Sequence, residues 1–224
     1  MARSKGLDVS AVLSGAADGI WNVVYQMPPD GSPALFLDRD GVLVDEVGYL
    51  HLPGDVRLLS GAADLVGAAN RAGVVVVVVT NQAGIGRGYY GWKDFEAVRH
   101  RIDDLLEEER VHLDAVYACP FHPAALEPYR HAAHPGRKPG PGMLLRAASD
   151  LGIDLSTSWI VGDVVEDLEA GRSAGLAGAV HVRSGHGARD RDRVLGGSWA
   201  GFDVRYAEDP GDVVERIPIL APRS

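Results

Sequence analysis

The sequence has little cysteine and no long apolar run, and both absences narrow what the protein can be. One cysteine, Cys119, occurs among 224 residues, which excludes an internal disulfide framework and favours a reducing compartment. No segment approaches the run of about 20 apolar residues that a membrane span needs. The amino-terminal segment MARSKGLDVSAVLSG also lacks the apolar core of a signal peptide. We therefore expect a soluble cytoplasmic protein with no membrane partner.

The sequence is also short of positive charge. It carries 22 lysines and arginines against 31 aspartates and glutamates, a formal net charge of −9. Domains that bind nucleic acid normally carry a basic face, so we expect no nucleic-acid partner. An anionic substrate stays possible, because a bound metal and a few local cations can control a site whatever the total charge.

The chain divides into a short extension and one domain. Residues 1–32 show little periodicity and end in the turn-rich segment MPPDGSP, which predicts an N-terminal extension and linker with Trp21 and Tyr25 as anchors. Across residues 33–224, apolar strands alternate with amphipathic helices. This alternation predicts an α/β domain: a doubly wound, Rossmann-like parallel sheet with helices on both faces. Since no long insertion follows the early strands, we expect a minimal cap made of loops.

Hydrophobic periodicity places the individual elements along the domain. The predicted strands are 34–39, 74–80, 113–119, 158–163, 177–183 and 203–207. The predicted helices are 60–73, 92–110, 142–152, 165–175 and 209–217. The valine run at 74–80 is typical of a central parallel strand that is covered on both faces.

Polar side chains stand where several of these strands end. Asp38 and Asp40 follow the first strand, Thr80 ends the valine strand, and Asp163 ends the segment WIVGD. Because right-handed crossovers bring the carboxyl ends of parallel strands to one edge, we expect these side chains to share a crevice. Lys138, in a loop before a helix, adds a cation there.

These residue types in this arrangement favour phosphoryl chemistry. Aspartates 38 and 163, with Asp40 nearby, supply the oxygen ligands that suit Mg²⁺. Thr80 and Lys138 can hold phosphoryl oxygens as a hydroxyl donor and a point charge. One aspartate can attack phosphorus, and a second can protonate the leaving oxygen and then activate water.

Each feature also has a purely structural interpretation. An Asp-x-Asp pair at a strand end is often a turn with an Asx hydrogen bond, and Lys138 beside a proline could be a solvated loop charge. Asp167, four residues after Asp163, could lie on an exposed helix face. The order of these features and their places in one alternating fold favour a shared site.

The motifs FLDRDG, VVVTNQ, RKP and VGDVVED resemble, in order, the four motifs of the haloacid dehalogenase-like phosphatase superfamily. The segments TNQAGIGRG, CPFHP and RKPGPGM resemble its branch of D-glycero-D-manno-heptose 1,7-bisphosphate phosphatases. Histidinol-phosphate phosphatases are close relatives in that branch. The resemblance covers about residues 33–183.

The resemblance implies a role for each site residue. Asp38 would be the nucleophile and Asp40 the general acid and base, while Asp38, the Asp40 backbone carbonyl and Asp163 would hold Mg²⁺. Thr80 and Lys138 would stabilise the phosphoryl group. Substrate would be bound by Arg39, Glu46, Tyr49, Asn81, Gln82, Arg87 and Arg137, with Arg87 a candidate for a distal anion.

The chain departs from the family pattern in two places. Relatives that bind zinc use C-x-H and C-x-C, but here these positions hold Cys119, Phe121, His134 and Gly136. A rearranged Zn²⁺ site of Cys119, His122 and His134 has the right ligand types. A histidine-rich loop is more often surface than site, so zinc is the less favoured interpretation. The second departure is a valine, at position 164, where heptose bisphosphatases commonly have lysine.

We therefore predict a Mg²⁺-dependent phosphomonoesterase that acts through an aspartyl-phosphate. The expected substrate is a small phosphorylated sugar, heptose 1,7-bisphosphate, which loses its 7-phosphate. The alternatives are a phosphatase for histidinol phosphate or another small sugar phosphate, a phosphotransferase, or a non-catalytic sensor of a phosphorylated metabolite. We expect a monomer or a weak homo-oligomer.

Overall fold

Seven strands form one sheet in the computed structural model, which describes residues 18–221. They are β1 (Trp21–Val24), β2 (Ala34–Leu37), β3 (Val75–Asn81), β4 (Ala115–Cys119), β5 (Trp159–Gly162), β6 (Gly178–Val182) and β7 (Asp203–Ala207). Their order across the sheet is β1-β4-β3-β2-β5-β6-β7. Only β1 runs antiparallel to its neighbour. The predicted parallel α/β sheet is confirmed.

Helices connect most of these strands, and connections between parallel strands of one sheet are right-handed as a rule. They are α1 (Ala62–Ala72), α2 (Ala83–Gly86), α3 (Trp92–Glu108), α4 (Gly142–Leu151), α5 (Val165–Ala174) and α6 (Gly187–Leu195). Short 3-10 turns occur at Pro53–Asp55, Leu155–Thr157, Gly211–Glu215 and Pro218–Leu220. The helix predicted over 209–217 is therefore only a short 3-10 turn. Among the described helices, none combines the length and the apolar character that crossing a membrane requires.

The sheet is covered on both faces, as its apolar strands predict. In β2, Leu35 and Leu37 point into a core layer that includes residues of α1 and α3. Ala34 and Phe36 point into the opposite layer, against α4 and α5. All four side chains are fully buried. This alternation fixes the register of β2, because a one-residue slip would exchange the two faces.

The amino-terminal part of the described chain joins the sheet. Trp21 in β1 is 2% exposed and stacks on Trp92 of α3 with ring centroids 5.8 Å apart. The hydroxyl of Tyr25 donates to Asp103 of α3 at 2.9 Å. The predicted extension thus contributes an edge strand, and Trp21 belongs to the core. The domain boundary stays a prediction, and residues 1–17 lie outside the described residues.

Loops cover the carboxyl edge of the sheet. One connects β2 to α1 and contains a single 3-10 turn, and another connects β4 to α4 without a helix or strand. The polar residues that end β2, β3 and β5 lie beneath these loops.

Candidate active site

Three strand ends and one loop meet in a cleft of about 160 Å³. Asp38 follows β2, and its backbone N–H donates to the Val161 carbonyl of β5 at 3.0 Å. The next turn requires a glycine at position 41, where φ is +85° and a Cβ would overlap the Asp163 carboxylate. The described residues that line the cleft are Asp38, Arg39, Asp40, Glu46, Gly48, Tyr49, Thr80, Asn81, Gln82, Ala83, Gly84, Tyr90, Lys138, Asp163, Val164, Asp167 and His186.

Lys138 places a buried ammonium in the cleft. Its Nζ donates to Asp38 Oδ1 at 2.7 Å and to the Val79 carbonyl at 2.9 Å, and it lies 2.6 Å from Asp167 Oδ1. The side chain is 2% exposed. Burial alone would lower the pKa of Lys138, but the carboxylates of Asp167 and Asp38 raise it above its ordinary value. The ammonium is therefore charged at neutral pH, and it fixes one oxygen of Asp38.

Asp38, Asp163 and Asp167 form an acidic cluster whose ligand atoms lie within 4.8 Å of one another. Burial raises the pKa of Asp163, and the charges of Asp38 and Asp167 raise it further. Three carboxylates face the single ammonium of Lys138, so full ionisation leaves about two negative charges uncompensated. A divalent cation that prefers oxygen ligands, such as Mg²⁺, fits this donor set.

Asp167 is a site residue that the sequence analysis did not assign. Its Oδ2 accepts the backbone N–H of Val164 at 3.3 Å at the start of α5, while its other oxygen pairs with Lys138. The side chain is completely buried, which excludes the exposed helix face considered above. Its position in the first turn of a helix that follows a strand end was the available signal.

Asp40 is held beside Asp38 by a buried guanidinium. Arg39 donates to Asp40 through Nε at 3.0 Å and through Nη2 at 2.9 Å, a two-point contact. Burial raises the pKa of Asp40, although the Arg39 charge opposes that effect. A raised pKa suits a carboxyl group that must carry a proton before the reaction. Arg39 lines the cleft, is 3% exposed and positions Asp40, and a role for it in binding substrate stays a prediction.

Gln82 connects the carboxyl group of Asp40 to the hydroxyl group of Thr80. Its Nε2 donates to Thr80 Oγ1 at 2.8 Å and approaches Asp40 Oδ2 at 3.3 Å. Tyr90, which the sequence analysis did not single out, donates to Gln82 Oε1 at 2.5 Å and fixes the orientation of the amide. Because Thr80 Oγ1 accepts from Gln82, its own proton stays free for a phosphoryl oxygen. Gln82 thus positions its neighbours as well as lining the cleft.

Asn81 holds the loop that carries the cation. Its Nδ2 donates to the Lys138 carbonyl at 3.1 Å, and its Oδ1 accepts the Lys138 backbone N–H at 3.1 Å. This reciprocal pair ties the end of β3 to a loop 57 residues away in sequence. The contacts assign Asn81 to positioning Lys138, in addition to its place on the cleft wall.

The mouth of the cleft contains the predicted substrate-binding residues Glu46 and Tyr49. Opposite them, His186 lies with Nε2 3.9 Å from Glu46 Oε2, and its backbone N–H donates to Asp163 Oδ2 at 2.7 Å. Val164 also lines the wall, where an apolar side chain offers no charge to a substrate. Sequence reasoning missed His186, which lies in a Gly-rich turn without a recognisable motif.

Arg87 and Arg137 lie beyond the mouth and are not part of the cleft lining. Arg87 Nη1 donates to the Tyr49 hydroxyl at 2.9 Å, which joins it to the cleft through that side chain. Arg137 Nη1 donates to the Phe121 carbonyl at 3.3 Å. These two predicted substrate-binding residues therefore belong to a rim.

The predicted zinc set is not assembled in the described chain. Cys119 Sγ and His134 Nδ1 lie 4.0 Å apart, but His122 is turned toward Arg87, with Nε2 3.0 Å from Arg87 Nη2. The ring of Phe121 stacks on that of His134 with centroids 3.8 Å apart. Within residues 18–221, the acidic cluster is the one group of three or more potential ligands. The described structure does not bring these three predicted ligands together, and zinc binding by Cys119, His122 and His134 stays a prediction.

Comparisons with known proteins agree with this geometry. Residues 136–204 match the family model described as "HAD-hyrolase-like". A protein of Mesorhizobium japonicum named D-glycero-beta-D-manno-heptose-1,7-bisphosphate 7-phosphatase is 47% identical over 204 residues, 90% of this chain and 91% of that protein.

Two solved structures have similar folds. A HAD-like protein of Mesorhizobium loti matches with a TM-score of 0.80 and 39% identity, over 90% of this chain and 92% of that one. The D,D-heptose 1,7-bisphosphate phosphatase of B. bronchiseptica, complexed with magnesium and phosphate, matches with a TM-score of 0.71 and 30% identity, over 82% and 97%.

Proposed function

This chain belongs to the haloacid dehalogenase-like phosphatases, phosphoric monoester hydrolases, and we propose that it removes the 7-phosphate of D-glycero-D-manno-heptose 1,7-bisphosphate. One observation supports hydrolysis of a phosphate ester. The buried ammonium of Lys138 fixes the carboxylate of Asp38, and beside it lies a second carboxyl group, Asp40, whose pKa is raised. The choice of substrate is supported by the activities for which the relatives described above are named.

Asp38 acts as the nucleophile. Its Oδ1 is held by Lys138, so its other oxygen is left to attack phosphorus. A P–O bond to Asp38 forms as the bond to the sugar oxygen breaks, which gives an aspartyl-phosphate. Lys138 and the free hydroxyl proton of Thr80 stabilise the charge that develops on the phosphoryl oxygens.

Asp40 acts as the general acid in the first step and as the general base in the second. Its protonated form gives a proton to the leaving sugar oxygen, and the resulting carboxylate then takes one from the water that attacks the aspartyl-phosphate. The Arg39 contact stabilises the carboxylate between the steps. Burial and the guanidinium act in opposite directions on the same pKa, so Asp40 can work as acid and base in turn.

We propose that Asp38 and Asp163, with the Asp40 backbone carbonyl, hold Mg²⁺, and that Asp167 contributes charge from behind Lys138. When bound, the ion neutralises the carboxylates and polarises the phosphoryl group. The backbone N–H of His186 fixes one oxygen of Asp163 and leaves the other for the ion.

Magnesium binding should be visible in stability. At about 100 times its Kd, Mg²⁺ adds about 2.7 kcal/mol, which for a chain of this size corresponds to roughly 5–11 °C in Tm. Asp163→Asn should abolish most of that shift and, because it removes one repelling charge, should not lower the Tm of the metal-free protein. The measurement is thermal unfolding in EDTA and in MgCl₂. An equal Mg²⁺ shift in the variant would contradict the assignment.

A second candidate function is hydrolysis of a singly phosphorylated substrate, histidinol phosphate or a small sugar phosphate. The observation that favours it is Val164 on the cleft wall, because a cation there would have served a second phosphate. The fold does not separate these substrates, since specificity depends on the loops above a shared catalytic edge.

Phosphate release from heptose 1,7-bisphosphate, histidinol phosphate and several sugar monophosphates, with Mg²⁺ or EDTA, tests the proposal. We expect the bisphosphate to exceed the others by at least about 100-fold in kcat/KM, a difference of about 2.7 kcal/mol in transition-state binding. Similar values for all substrates would leave a phosphatase but remove the heptose assignment. EDTA should abolish turnover in either case.

We further propose that the enzyme works in the cytoplasm as a monomer or weak homo-oligomer. Cys119 is buried and free, which agrees with a reducing compartment. Light scattering of the purified protein would determine its mass in solution.

A further inference from the structure

A group of hydrogen-bond donors lies on the rim of the cleft, formed by Arg87, His122 and Arg137. We call it the rim cluster. Arg87 contacts the ring of His122 and the hydroxyl of Tyr49, and Tyr49 lines the cleft itself. Among residues 18–221, no carboxylate lies within 4.0 Å of either rim guanidinium. Arg39, Arg99, Arg146 and Arg193, by contrast, each pair with an acid. The rim cluster therefore carries uncompensated positive charge next to the reaction site.

The contact between Arg87 and His122 leaves at least one hydrogen-bond donor without an acceptor. The backbone N–H of Ala124 donates to His122 Nδ1 at 2.9 Å, and Arg87 Nη2 approaches Nε2 at 3.0 Å. Arginine can only donate, and a neutral imidazole has one acceptor nitrogen, while a protonated one has none. In every protonation state at least one donor thus faces another donor. An acceptor between Arg87 and Nε2–H would resolve the conflict.

Other hydrogen-bond donors in the rim cluster, and the adjacent hydroxyl of Tyr49, are also available to a ligand. Arg87 Nε is buried without a partner among the described residues. Tyr49 accepts from Arg87, so its own hydroxyl proton can be donated elsewhere. Arg137 uses Nη1 on a backbone carbonyl, and its remaining guanidinium donors have no partner among the described residues. An unmet buried donor is costly, which applies to Arg87 Nε. The donors of Tyr49 and Arg137 are available beside it, so together these groups favour a multivalent anionic acceptor.

We propose that His122, through Nε2–H, and Arg87 bind the distal phosphate of a bisphosphorylated substrate while its other phosphate reacts at Asp38. This inference rests on the proposed function and deepens it. A phosphate group offers three oxygens to several donors at once, which suits a cluster without a carboxylate. Tyr49 joins the rim cluster to the cleft, so one small sugar can reach both.

The rim cluster also supplies the positive charge for a second phosphate that the cleft wall lacks. Val164 provides no cation, and Lys138 lies against Asp38 and Asp167, at the reacting phosphate and not at the distal one. Selectivity for a second phosphate must therefore come from another part of the chain. Arg87 contacts Tyr49 directly, and His122 contacts Arg87. His122 becomes a substrate-binding residue, not a metal ligand.

The test compares kcat/KM for heptose 1,7-bisphosphate with kcat/KM for heptose 7-phosphate. The ratio of the two measures selectivity for the distal phosphate. We expect His122→Ala and Arg87→Ala each to reduce this ratio at least about tenfold, mainly through KM for the bisphosphate. His122→Gln, which keeps an N–H donor, should recover much of the ratio. His131→Ala removes an exposed histidine of the same loop and is the matched control, with an unchanged ratio.

The possible outcomes test the rim-cluster inference separately from the proposed function. A wild-type preference for the bisphosphate that survives His122→Ala and Arg87→Ala would overturn the rim-cluster inference and leave the proposed function intact. A wild type without that preference would overturn both. Equal losses on both substrates would also overturn the inference, because they would indicate a general structural effect.

Discussion

Asp38→Asn is expected to lower kcat at least about 10⁴-fold on every phosphomonoester, because it removes the nucleophile and no other group can replace it. The variant should nevertheless fold. Asparagine has the same shape, and the cluster of Asp38, Asp163 and Asp167 loses one of its repelling charges. Lys138 keeps its ion pair with Asp167. We therefore expect a Tm equal to or above that of the wild type in EDTA, measured alongside phosphate release.

Two further variants distinguish the loss of the nucleophile from other effects of removing a carboxylate. Asp45→Asn changes a nearby, half-buried carboxylate outside the acidic cluster and the cleft lining, and its kcat should stay within about twofold of the wild-type value. Asp40→Asn should cost about 10²–10⁴-fold on a sugar phosphate. With an aryl phosphate, whose leaving group needs no proton, Asp40→Asn should accumulate the aspartyl-phosphate. Turnover by Asp38→Asn near the wild-type rate would contradict covalent catalysis.

The sequence could predict the site wherever a residue's role follows from where its strand ends. The valine run gives β3 almost to the residue, and the polar residue at its end, Thr80, then has to lie at the catalytic edge. The same reasoning places Asp38 and Asp163, because parallel strands share an edge. No long-range information is needed beyond the handedness of the connections.

Roles that depend on long-range contacts could not be predicted in this way. Asp167 is defined by an ammonium 29 residues away in sequence, and without that partner a carboxylate in a first helical turn suggests only a cap. Arg39 looks like a free cation until the structure places its guanidinium on Asp40. The same limit applies to the zinc interpretation: cysteine and histidine indicate ligand type, but not which way His122 points.

Three elements escaped prediction. The helix α2 is a single turn with the sequence AGIG, and β1 and α6 have weak local patterns. β1 is four residues long and gains its place through antiparallel pairing, with Trp21 opposite Ala118. α6 has the sequence GARDRDRVL, in which Val194 is the buried hydrophobic residue, so it lacks an apolar stripe. Both are stabilised by tertiary contacts and not by their own periodicity.

Lys138→Met is expected to damage both stability and catalysis. Methionine fills similar space, but it leaves the carboxylates of Asp38 and Asp167 buried without their cation. Breaking a buried ion pair from one side costs about 3–5 kcal/mol, which for a chain of this size lowers Tm by roughly 6–20 °C. We expect kcat to fall about 10³-fold or more as well, because the charge that meets the phosphoryl oxygens is lost. Thermal unfolding in EDTA and phosphate release would measure the two effects.

The double variant Lys138→Met/Asp167→Asn separates these effects. Asn in place of Asp167 removes the uncompensated charge, so most of the lost stability should return, and the coupling between the two changes should lie in the range of about 0.5–3 kcal/mol found for contacting residues. Activity should not return, since the phosphoryl group still meets no ammonium. If stability and kcat recover together, Lys138 acts only by maintaining the fold; if neither recovers, Asp167 has a role at the site beyond pairing with Lys138. Recovery of stability alone assigns the ammonium to catalysis and Asp167 to holding it in place.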